Sequence, residues 1–303
     1  MSKRTRSPLS YDPRVQHVTL DSTTLGIKKS FYVYVPPNLG QVRAQVVYLL
    51  RGHEREWINS SEDKTRGSTN AVDVYEQLRA AGAIDPMVLV FPGLASDDNS
   101  VPSCLMNMCS PELAANVPGI GTGRFADYFY DELIPHVDTH FPTDGERRGV
   151  VGFSLGGLMA AKAAAERPDL FASVAAFDGT FLYAREGGST VKRADGVIAN
   201  PMFAAAFGMP RDYDHVAANS PANLILRGNA AQLASVTWMI SFGPRAIEPW
   251  GSNYYRGLHL LRCLHQRGIS NTIDPAAISE RAHTWKVADT FLKQVLPIVG
   301  YRV

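Results

Sequence analysis

The residues with the clearest chemical potential are Gly152-Phe153-Ser154-Leu155-Gly156-Gly157, a G-x-S-x-G sequence followed by one more glycine. This spacing suits a sharp strand-to-helix bend that holds a hydroxyl out for nucleophilic attack, because a side chain at either glycine would collide with the adjoining strand or helix. Serine attacks an acyl carbon only when a base takes its proton and an acid orients that base. With the chain order serine, acid, histidine, the bases available after Ser154 are His215, His259, His265 and His283. His259 and His265 lie in the helical run 254–266 and His215 in a long insert, so they read as surface or packing residues. His283 follows the strand-like stretch 270–278 and precedes the closing helix 286–296, where the base must stand. Glu248, reached from the run 236–242 through Gly243-Pro244-Arg245, is the first choice of acid, ahead of Asp178 and then Asp274. The backbone N–H groups of Leu155 and His53 are the expected oxyanion donors. Trp57 is read either as an acyl-pocket or leaving-group wall or, equally, as a partly buried structural tryptophan. This chemistry calls for no metal and no organic cofactor.

Such a serine needs a strand behind it and a helix after it. Short β-branched runs at 46–50, 87–91, 149–153, 172–177 and 236–242 alternate with helical stretches, the order of an α/β protein with a mostly parallel sheet. Alternating apolar and polar residues at 15–20 and 28–35 predict a leading antiparallel hairpin, closed by Pro36-Pro37. Phe125, Phe129, Leu133 and Val137 recur every four residues, which predicts a helix over 124–138. The segment 154–166 predicts another, ended by Arg167-Pro168. A single domain over 1–303 is expected, with a loop insert at 93–123 and a cap-like insert at 179–233, both candidate substrate-binding regions.

The 303 residues are 45% hydrophobic and 19% charged, so a large core forms without staples and a disordered chain is excluded. A formal charge of +1 leaves no field for a polyanion, so nucleic acid is not an expected partner. No apolar run reaches the length of a membrane helix, and the basic start Met1-Ser2-Lys3-Arg4 leads into polar residues, so a cytoplasmic chain is expected. Cys104 and Cys109 could pair in an oxidising compartment, but free thiols are the better reading. His136 and His140 have a zinc-compatible spacing without the glutamate of a metalloprotease motif. Gly119 to Gly123 lack the strand and helix context of a nucleotide loop.

Taken together, these residues resemble the esterase D and antigen 85 group of α/β-hydrolases, which includes S-formylglutathione hydrolases, feruloyl esterases, enterochelin esterases and mycolyltransferases. The resemblance covers about 29–296. It is carried by Arg124, Glu132-Leu133-Ile134-Pro135, Phe141-Pro142, the serine motif, Arg167-Pro168-Asp169-Leu170-Phe171, Ser220-Pro221 and His283-Thr284-Trp285. It implies an α/β-hydrolase fold, Ser154 as nucleophile, His283 as base, the amides of Leu155 and His53 as oxyanion hole, and Glu248 as a mycolyltransferase-like acid. The chain departs from the group at Ala282, where glycine is usual, and at Arg51-Gly52-His53, where His-Gly is usual. The expected activity is a serine carboxylesterase acting on small-molecule or polymer-linked esters. Acyl transfer to a sugar or alcohol, and a non-catalytic binding protein on the same fold, are the alternatives.

Overall fold

The computed structural model describes residues 11–183, 195–276, 278 and 282–300. Seven strands form one sheet: β1 (Gln16–Ser22), β2 (Ile27–Tyr34), β3 (Ala44–Leu50), β4 (Met87–Pro92), β5 (Thr143–Phe153), β6 (Ser173–Phe177) and β7 (Thr237–Ser241). Their order is β1-β2-β4-β3-β5-β6-β7. The leading hairpin is antiparallel, and β2 meets β4 antiparallel; the five strands from β4 to β7 run parallel. This is the α/β-hydrolase architecture.

The parallel strands read as continuous apolar runs because helices cover both faces. Alternate residues of β3 show it: Val46, Tyr48 and Leu50 enter one core, Val47 and Leu49 the other. One face carries α1 (Ala71–Ala80), capped by Asn70 and Asp73 in a reciprocal capping box, and the C-terminal helix. The predicted helix over 124–138 is broken in kind: Tyr128–Leu133 takes π geometry between Phe125–Asp127 and α2 (Ile134–His140). Its stripe of Phe125, Phe129, Leu133 and Val137 is nonetheless fully buried. After β5 comes α3 (Leu155–Glu166), whose alanines let it lie close on the sheet. Then follow α4 (Tyr254–Gln266) and α5 (Trp285–Val295).

The stretch 270–278, read as strand-like, forms no named strand among its described residues. A lone parallel bridge joins Asn271 to Trp238, and Asp274-Pro275 turns the chain away. Of the insert 179–233, residues 184–194 lie outside the described residues; its described part holds short helical pieces. The insert 93–123 is tied to β2 by the buried Lys29 ammonium, which donates to the carbonyls of Ala95 (2.5 Å) and Gly119 (3.0 Å). Cys104, Cys109 and Cys263 are free thiols. Among the described residues, no helix is long and apolar enough to cross a membrane.

Candidate active site

At the junction of β5 and α3, Ser154 sits at φ 57° and ψ −118°. That left-handed backbone is strained for a residue with a Cβ and is held by neighbours on several sides. Its N–H donates to Phe177 O (3.0 Å), and its carbonyl accepts from Gly157, Leu158 and Thr180. Two of the glycines are required by contact: a Cβ on Gly152 would lie 1.9 Å from Gly156 O, and one on Gly156 would lie 1.9 Å from Leu50 O. Helix α3 therefore starts against the end of β3, and Ser154 is carried above the sheet edge.

The geometry corrects the reading of the acid. His283 Nδ1 lies 2.6 Å from Asp178 Oδ2, and Asp178 is fully buried directly after β6. Asp178 Oδ1 accepts from the N–H groups of Gly243 (2.9 Å) and Asn253 (2.8 Å), so both oxygens are engaged. Glu248 does not meet the imidazole. Its Oε2 accepts from Tyr254 N (2.6 Å) and Ser252 Oγ (3.3 Å), because the 3-10 turn Arg245–Ile247 carries it past β7 to the wall of a cavity. His283 is anchored by its own N–H, which donates to Gly251 O (3.0 Å), and its ring packs on Phe153, 4.7 Å between centroids. Among the described residues no hydrogen bond joins Ser154 Oγ to this ring; in a free enzyme such contacts are often long and tighten with substrate.

The oxyanion reading divides in the same way. Leu155 is the first residue of α3, where an N–H has no partner within the helix, and it lines the cavity beside Ser154. The His53 amide is committed elsewhere: it donates to Glu56 Oε1 (2.8 Å), closing a tight four-residue turn. The His53 ring packs down toward Asp97 O (3.0 Å) and is buried. Trp57 is not a pocket wall. Its Nε1 donates to Leu50 O (3.0 Å) and its ring meets Trp285 edge-on at 5.0 Å, below the site.

The cavity over Ser154 has a volume of about 420 Å³. Part of its lining, including Val197, Met202 and Phe203, comes from the insert after β6. The insert at 93–123 contributes no described lining residue. Residues 22–298 match the Esterase family model, described as "Putative esterase".

The chain belongs to this esterase family.

The esterase is thus a carboxylic ester hydrolase by family. No curated protein matches it by sequence. Its fold is similar to that of a ferulic acid esterase, with 20% identity, 96% of this chain and 99% of that chain covered, and a TM-score of 0.68. It is also similar to an S-formylglutathione hydrolase from Agrobacterium tumefaciens, at 20% identity, 93% and 92% coverage, and a TM-score of 0.63. A CE1 ferulic acid esterase from Anaeromyces mucronatus, solved in complex with ferulic acid, matches at 16% identity, 97% and 93% coverage, and a TM-score of 0.57.

Two features of the esterase's site escape sequence reasoning. Arg51, at the end of β3, lines the cavity with Ser154; its departure from the usual histidine was the only signal. The second is a buried strut beneath the histidine. Arg66 grips Asp289 of α5 through Nε and Nη2, both at 2.8 Å, and donates to the carbonyls of Glu56, Trp57 and Asn59. Its guanidinium lies 4.5 Å from the Trp285 ring, two residues from His283. Burial pushes the Asp289 carboxyl up to about 6, with Arg66 offsetting only part of the cost.

Proposed function

We propose that this esterase is a serine carboxylesterase in which Ser154, His283 and Asp178 act together. Ser154 Oγ attacks the ester carbonyl carbon while His283 Nε2 takes its proton. The oxyanion of the tetrahedral intermediate is met by the Leu155 N–H. When the C–O bond to the alcohol breaks, the imidazolium returns the proton to the leaving oxygen, and an acyl-serine remains. Water, deprotonated by the same imidazole, then releases the carboxylic acid and restores the serine. Asp178 holds Nδ1 and stabilises the imidazolium without taking the proton itself.

The observation that carries this reading is the buried Asp178 carboxylate on His283 Nδ1 at 2.6 Å, on a ring packed at a tilt against the residue that precedes Ser154. The cavity mixes apolar walls with a few polar groups, as a small ester requires. Ser154→Ala is expected to lower kcat for 4-nitrophenyl acetate by on the order of 10⁴-fold or more while circular dichroism stays unchanged. Turnover within tenfold of the parent protein would refute the assignment of the nucleophile.

A further inference from the structure

The charged groups around the cavity are not equally occupied. Arg256 is spent: Nη1 donates to Phe181 O and Asp195 Oδ2, both at 2.8 Å, and Nη2 donates to Asp195 Oδ1 at 2.7 Å. Asp195 is itself buried, so this pair is internally neutralised. Arg51 differs. Its Nε is ion-paired at 2.8 Å with Oε2 of the buried Glu56, without hydrogen-bond alignment, which balances part of its charge, while Glu56 Oε1 is taken by His53 N and Asn99 Nδ2. Among the described residues neither terminal nitrogen of Arg51 makes a hydrogen bond, although the side chain is only 20% exposed. A planar fork of donors lining the cavity is suited to a carboxylate or phosphate.

Its direction is also set. The guanidinium lies 5.4 Å from the Phe153 ring and 5.9 Å from the Trp285 ring. Phe153 is the ring on which His283 packs, and Trp285 follows His283 by two residues. Arg51 thus stands on the imidazole's side of Ser154, the side from which a proton reaches the departing alcohol. Among the described residues, the insert after β6 lines the cavity with the apolar Val197, Met202 and Phe203 and the uncharged Thr180, Tyr183 and Asn200, and supplies no cation there.

We propose that Arg51 is a specificity residue that binds an anionic group on the alcohol fragment of the ester. The proposal rests on the serine esterase reading and narrows its substrate class to esters of carboxylated or phosphorylated alcohols.

The test uses two matched pairs of chromogenic esters. On the alcohol side, the acetate of 5-hydroxy-2-nitrobenzoate is compared with 4-nitrophenyl acetate; on the acyl side, 4-nitrophenyl hydrogen adipate with 4-nitrophenyl hexanoate. The parent protein is expected to favour the carboxylated alcohol in kcat/KM. Arg51→Gln is expected to reduce that preference by about 10- to 100-fold, and Arg51→Lys to reduce it less. A second measurement needs no variant: 5-hydroxy-2-nitrobenzoate should compete with substrate at lower concentration than 4-nitrophenol does. An unchanged preference in Arg51→Gln, a charge preference confined to the acyl pair, or equal inhibition by the two phenols overturns the proposal. Fluorophosphonate labelling of Ser154 in the parent separates the two failures: with labelling intact only the role of Arg51 falls, and without it the nucleophile falls as well.

Discussion

The loops after β6 and β7 each bring a carboxylate to the site, and they use it in opposite ways. Asp178 follows its strand directly, is fully buried, and has its oxygens engaged by two backbone N–H groups and the imidazole. Glu248 arrives after a 3-10 turn, accepts from Tyr254 and Ser252 through one oxygen, and borders the cavity. Strand order alone does not choose between them. A carboxylate orients a histidine when the backbone has already fixed its position and water is excluded, and only the first loop meets both conditions.

The comparison is broken most directly by removing each charge in turn. Asp178→Asn is expected to lower kcat for 4-nitrophenyl acetate by on the order of 10³- to 10⁴-fold, because the amide cannot hold the same tautomer or stabilise the imidazolium. Steady-state kinetics on the folded variant would check this, and a loss under tenfold would return the acid role to another residue. A smaller effect concerns the third buried carboxylate. The folded-state pKa of Asp289 is raised to about 6 from 3.8, so the folded state holds its proton more tightly than the unfolded chain does. Its contribution is therefore fully present below about pH 4 and is lost as pH rises toward 6. The stability advantage of the parent over Asp289→Asn, measured by urea unfolding, should shrink across that window and stay level above it; an advantage that grows instead contradicts the assignment. The smallest change is expected for Glu248→Gln, which keeps the shape of the cavity wall and should alter kcat by less than about tenfold. A loss as deep as that of Asp178→Asn would erase the distinction between the two loops.

The elbow was legible because its glycines record close backbone approach: Gly152 and Gly156 each face a carbonyl where a Cβ would stand. His283 stands where it was expected, just before α5, with Asp178 on its Nδ1. Glu248 was expected beside the imidazole where Asp178 in fact stands, because a strand followed by a turn and a carboxylate describes both loops equally well. One signal favoured Asp178: aspartate tolerates left-handed backbone better than most residues, and Asp178 leaves its strand at φ 45° with a glycine next to it. His53 was misassigned for a local reason, since the glutamate three residues later captures its amide. Trp57 was drawn to the site by its loop, but its indole N–H finds Leu50 O beneath the floor. The π geometry at Tyr128–Leu133 leaves the four-residue apolar stripe intact, so hydrophobic periodicity could not reveal it. The occupants of the cavity wall from the insert are set by long-range packing that no local pattern encodes.

The central claim is that the hydroxyl at the β5–α3 bend is the group that takes up the acyl chain. Mass spectrometry of the protein after reaction with a fluorophosphonate tests it most directly. A single adduct on the peptide bearing Ser154, formed far more slowly in His283→Ala and in Asp178→Asn, is the expected result. An adduct on another residue, or reaction at Ser154 that is indifferent to both substitutions, would contradict it.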